Sequence, residues 1–218
     1  RIPEYSPASD WAVGLPSVLA AVVTMVLLIR TISFLGASTY AAAYSVVAFG
    51  IGTMAWRYAG TLFRGHFVAA CLLAAFVSAL SIRRSGSRPW LLGVIYSLGV
   101  LFENTLLVSL LPVLVWAWLG STRRSLTFLA IALGAAPGLA VLALYNTVCF
   151  GAPWHTGYNY IVAPVEARSL STMFAGPVVR NALRLFLFLP YQGILVVSPV
   201  LLLGFVGWGR IARQHLSF

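Results

Sequence analysis

Residues 91–119 read LLGVIYSLGVLFENTLLVSLLPVLVWAWL, and the way this run meets an apolar medium decides the fold. It exceeds the roughly 20 residues that a helix needs to cross the hydrocarbon core of a bilayer, yet Glu103 and Asn104 stand at its middle. A charged side chain at the centre of a lone spanning helix costs about 2.5–3.5 kcal/mol on insertion scales. Arg83, Arg84 and Arg88 precede the run, and Arg123 and Arg124 follow it. Arginines in short loops stay on the cytoplasmic side, so a single crossing would carry one cluster to the wrong face. A hairpin of two short helices, turning at Glu103–Asn104, resolves both conflicts. Each arm is then shorter than a normal span, which requires a thinned bilayer or a turn buried in protein.

The composition places the whole chain in the same medium. Of 218 residues, 61% are hydrophobic and 8% are charged, and the mean hydropathy is +0.94. A soluble domain carries about a quarter of its residues as charges. No alternation of period two runs through the chain, which argues against an outer-membrane barrel. The reading is an all-α, polytopic transmembrane helical bundle. The 14 basic residues are all arginine, against four acids. They sit in short loops between apolar runs and set topology; no basic patch on a soluble domain suggests a nucleic-acid partner. Cys71 and Cys149 offer neither a metal spacing nor a disulfide framework.

Apolar spans are predicted at about 13–35, 38–56, 66–82, 91–119, 125–149 and 191–209, giving about seven membrane-embedded helices when the hairpin counts as two. With basic clusters at 83–88, 123–124 and 210–213 inside, parity puts residues 1–10, the RYAGTLFRGH loop at 57–66 and the segment 150–190 outside. The chain reads as a single transmembrane domain over 1–218, a fragment of a longer protein that has lost residues at both ends. Within the outer segment, PVVRNALRLFLFLP (177–190) begins and ends with proline. This suits a short interfacial helix with Arg180 and Arg184 on one face. Those arginines either serve a site or snorkel to anionic headgroups. GAAPG (134–138) reads equally as a small-residue helix contact or as a proline kink.

Four stretches in order resemble bacterial polytopic glycosyltransferases of the C superfamily, the group containing protein O-mannosyltransferases and aminoarabinose transferases. They are IRTISFLGASTYAAA (29–43), WRYAGTLFRGHFVAACLLAAF (56–76), the run 91–119, and LYNTVCFGAPWHTGYNY (144–160) followed by PYQGILVVSPVLLL (190–203). The resemblance implies transfer of a sugar from a polyprenyl-phosphate donor to an acceptor on the outer face of a bacterial inner membrane. It also implies a catalytic carboxylate in a first outer loop. Glu4 and Asp10 lie in what remains of that region, and no motif assigns either as the base. A divalent metal assists some relatives in this reading, but no ligand cluster marks one in this chain.

The candidate substrate contacts follow from the chemistry of that donor. A departing lipid phosphate needs cationic donors, and arginine meets phosphate with two parallel hydrogen bonds. Arg57 and Arg64 lie in the outer loop, and His66 opens the next helix; the competing role for the arginines is contact with lipid headgroups. Glu103 is the one acid inside an apolar run. It either pairs with an outer-loop arginine, binds sugar hydroxyls, or is a solvated turn residue. Tyr158 and Tyr160, with Asn146 and His155, could line a sugar pocket, or the rings could belong to an interfacial aromatic belt. Glu166 and Arg168 read as solvated loop charges. Two other function classes remain open: a transporter or flippase of a lipid-linked intermediate, and a non-catalytic membrane subunit. A transporter needs polar groups spread along a path through the bilayer, whereas here they gather on one face. HExxH, CxxC, P-loop and GxSxG patterns do not occur.

Overall fold

Helices account for nearly all of the regular structure, and no strand occurs among the described residues. The computed structural model of the protein describes residues 7–59, 61, 64–157, 176–189, 194–204 and 207. The chain divides into two units, Arg1–Val46 with Arg57–Gly157, and Val47–Trp56 with Tyr158–Phe218.

Three helices are long and apolar enough to cross a membrane. Within α1 (Pro7–Phe34) the span is Gly14–Phe34; α4 (Arg64–Ser85) and α8 (Arg124–Phe150) qualify along their whole length. Large apolar side chains cover their outer surfaces, including Leu15, Val22 and Val26 on α1 and Phe128, Leu133 and Leu144 on α8. Their buried stripes are instead built mainly from small residues. Ser17, Ala20, Thr24 and Thr31 form one such stripe on α1, and Ala75, Ser78, Ala79 and Ile82 form one on α4. In lipid there is no water to drive apolar surfaces together, so helices associate where small side chains let backbones approach. The hydroxyls of Thr24 and Thr31 donate to the carbonyls of Ala20 and Leu27 on their own helix, so both buried hydroxyls are satisfied without a partner helix.

The run at 91–119 does fold as a hairpin. Its first arm is α5 (Pro89–Phe102). Its second comprises α6 (Leu106–Ser109) and α7 (Leu111–Leu119). Glu103 is extended, with φ −154° and ψ 113°, and its amide donates to the Gly99 carbonyl at 2.9 Å. The Leu106 amide then donates to the Glu103 carbonyl and starts the return arm. Pro112 lacks an amide and crowds the carbonyl four residues earlier, and the second arm is interrupted at Leu110. The Tyr96 hydroxyl donates to the Leu107 carbonyl beside this interruption at 2.9 Å, binding the arms together. Fourteen residues in α5 rise about 21 Å at 1.5 Å each, short of the roughly 30 Å hydrocarbon core.

The closest helix contact is between α5 and α8. Gly93 faces Ile131 and Ala135, Gly134 faces the Trp90 carbonyl, and Gly138 faces Ser97. A Cβ at Gly93 would fall 2.0 Å from the Ile131 carbonyl oxygen, and one at Gly134 the same distance from the Trp90 oxygen. The GAAPG stretch is therefore a helix contact, and α8 runs on through Pro137. Contacts from 90 to 97 follow those from 134 to 138 in the same direction, so the two helices are parallel. On the other side α5 packs antiparallel to α4, with Phe67 stacked on Phe102 at 4.7 Å between ring centroids.

Five arginines gather at one end of this unit. Arg83 at the end of α4 donates to the Trp116 carbonyl at 2.9 Å and lies over the Trp116 ring. Its neighbour Arg84 donates to the Phe34 carbonyl at the end of α1 and lies over the Phe34 ring. Arg88 precedes α5, and Arg123 and Arg124 stand at the start of α8. The opposite end carries the Glu103 turn and the α4 start.

Two predicted spans are corrected. The stretch 38–56 ends as one helix at Gly52, giving α2 (Thr39–Gly52) and a short α3 (Ala55–Ala59). Thr53 causes the break: its hydroxyl donates to the Phe49 carbonyl at 2.6 Å and accepts from the Ala55 amide. In the stretch 191–209, helix α10 (Ile194–Val197) stops before Pro199, and helix resumes at 201–204. In the same unit, α9 (Gly176–Phe188) covers most of the predicted interfacial helix and packs against α10.

Candidate functional site

Arg64 and Glu103 meet at the end of the first unit. Arg64 opens α4, Glu103 ends α5, and Nε of the arginine lies 3.0 Å from Oε2 of the carboxylate. The antiparallel packing of α4 on α5 explains why residues so far apart in sequence coincide. Stacking of Phe67 on Phe102 fixes the two helix ends one turn and one residue away, respectively. The Glu103 side chain is only 12% exposed, whereas that of Arg64 is 64% exposed. A poorly hydrated carboxylate needs a cation, and this cation also presents itself at the surface. His66, in the same first turn of α4, is 4% exposed. The loop predicted at 57–66 thus contains the end of α3 and the start of α4, so Arg57 and Arg64 are helical residues, and His66 lies in α4 as expected.

The turn after α8 forms a second polar group. Gly151 takes the left-handed conformation at φ 81°, and its amide donates to the Thr147 carbonyl at 3.0 Å. Glycine is the natural residue there, because it alone avoids the Cβ clash of that region. Asn146 is buried, and its side-chain amide donates to the Pro153 carbonyl at 3.1 Å. His155 approaches the Phe150 carbonyl through Nδ1 at 3.2 Å. Both predicted contacts are therefore engaged with the backbone of their own turn, where they hold the chain as it leaves α8. Trp154 stands 76% exposed beside them, edge-on to His155.

The structure thus unites Arg64 with Glu103 and leaves Asn146 and His155 in a separate turn. Arg57 is exposed on α3 and takes no part in an ion pair among the described residues. Tyr158 and Tyr160, with Asn159, Glu166 and Arg168, lie outside the described residues. No group of three His, Cys, Asp or Glu side chains arranged to hold a metal ion occurs among the described residues. Sequence reading overlooked Phe67 and Phe102, which frame the ion pair. Their signal was present: Phe67 is one turn after Arg64, and Phe102 immediately precedes Glu103. No protein-family model, curated protein or solved structure matches this chain.

Proposed function

We propose that the protein transfers a sugar from a polyprenyl-phosphate donor to an acceptor on the outer face of a bacterial inner membrane. In this reading it is a multi-pass bundle of about seven embedded helices, the short helices and the hairpin arms included. The observation that supports it is the Arg64–Glu103 pair, which presents an oriented guanidinium at the end of the bundle opposite the arginine-rich end.

In an inverting displacement the acceptor oxygen bonds to the anomeric carbon as that carbon's bond to the phosphate oxygen breaks. The electron pair leaves with the polyprenyl phosphate, and the acceptor proton passes to a carboxylate base. Negative charge grows on the phosphate, and a fixed cation there lowers the barrier because it need not reorganise. Arg64 fills that role, and Glu103 orients it. Arg57 is a second cation for the lipid phosphate. The proton-accepting carboxylate has no residue assigned to it.

The test uses the protein in proteoliposomes with a panel of radiolabelled polyprenyl-phosphate sugars. Label should move from lipid to acceptor, and Arg64→Ala should slow transfer by about 10²–10³-fold, the usual loss for a charge-stabilising donor. Movement of intact donor between leaflets, with no transfer from any donor, would overturn the reading in favour of a flippase.

A further inference from the structure

At the arginine-rich end, a cleft of about 460 Å³ opens between α1, α4 and α5. This is within the roughly 300–1,000 Å³ usual for small-ligand sites. Its polar side carries Arg30, Arg88 and Ser87, and Leu27, Leu91 and Ile95 line its apolar side. Both arginines are exposed. Among the residues whose side chains are described, the only carboxylate is Glu103, which pairs with Arg64 at the other end of the unit. The positive charge of the cleft is therefore uncompensated by this part of the chain.

Two further features bear on its use. Arg83 and Arg84, close by in sequence, are bound to carbonyls and rings of α7 and α1, so they act as struts. Arg30 and Arg88 make no such contact among the described residues. Arg88 also adopts φ 52°, and it is the only non-glycine residue with positive φ among the described residues. A bulky L-residue in that region is strained, and such strain persists where a side chain must be aimed.

We propose that this cleft binds the phosphate of an anionic phospholipid, with the guanidiniums of Arg30 and Arg88 on the phosphate and an acyl chain along Leu27, Leu91 and Ile95. The helices that frame it have apolar outer surfaces, so a bilayer that surrounds them brings its phosphate layer to the level of these arginines. Two unpaired cations above an apolar wall match a lipid, which has both parts, better than a free anion, which has only one. The site is independent of the transfer reaction at the opposite end.

The test is lipid retention by the intact chain, delipidated in detergent and then offered phosphatidylglycerol or phosphatidylcholine at equal mole fraction, with bound lipid counted by native mass spectrometry. Wild type should retain phosphatidylglycerol preferentially. Arg30→Gln and Arg88→Asn should each weaken that retention about five-fold, the effect of one basic residue near an anionic lipid surface. Asparagine tolerates positive φ, so Arg88→Asn preserves the turn, and unchanged circular dichroism confirms it. Arg124→Gln, which removes a charge at the same end but outside the cleft, should retain lipid as wild type does. Equal retention of the two lipids by wild type would overturn the proposal. So would an equal loss in Arg124→Gln. Displacement of the lipid by soluble glycerol phosphate at equal concentration would replace the lipid with a free phosphate and overturn it as well.

Discussion

Replacing Gly134 with alanine tests the packing on which the first unit depends. The added methyl would sit 2.0 Å from the Trp90 carbonyl oxygen and 2.8 Å from its carbon. Ordinary contact begins near 3.4 Å, so α5 and α8 must separate by more than 1 Å. The obstacle is backbone, and no rotamer change relieves it. Overpacking of this kind costs about 1–3 kcal/mol, which corresponds to a loss of several degrees in melting temperature for a chain of this size. Gly93→Ala meets the Ile131 oxygen at the same 2.0 Å and should behave alike. The double variant should cost much less than the sum, because helices already separated for one methyl leave room for the other. Gly204→Ala is the control, since nothing lies within 4 Å of its new Cβ. The assay is thermal unfolding of purified protein in detergent, followed by helical circular dichroism. If Gly134→Ala and Gly93→Ala melt with Gly204→Ala, the close approach does not exist and the reasoning fails.

Three further outcomes follow from the same geometry. Arg64→Ala should destabilise by about 1–2 kcal/mol, below the roughly 3–5 kcal/mol of a fully buried pair because Arg64 is largely exposed; adding Glu103→Gln should recover most of that loss in the same melting assay. Arg88→Gly should raise the melting temperature in lipid-free detergent, by relief of about 1 kcal/mol of left-handed strain, whereas added phosphatidylglycerol should stabilise wild type more than the variant. Asn146→Leu should cost about 1–3 kcal/mol by leaving the Pro153 carbonyl without its donor, and limited proteolysis should then cut first in the turn after α8.

The reach of sequence reading is clearest at the hairpin. Glu103, the arginine clusters and the length of the run all bear on one local question, whether this segment can cross once, and local energetics answered it. The breaks at Thr53 and Pro199 were equally local, yet hydropathy averages over such residues and so merged each pair of helices into one span. The contact made by GAAPG could not be separated from a kink, because small residues suit both and only the partner helix distinguishes them.

By itself, then, the sequence determined the medium, the helical class and the hairpin turn, since these depend on composition and on the cost of a charge in an apolar run. Only the tertiary structure decided that Glu103 meets Arg64, that Asn146 and His155 hold their own turn, and that Arg30 and Arg88 share a cleft. The Asn146 and His155 contacts depend on the path of the turn after α8, whereas the ion pair and the cleft depend on how α4 packs against α5 and α1, a property of helices together that none carries alone.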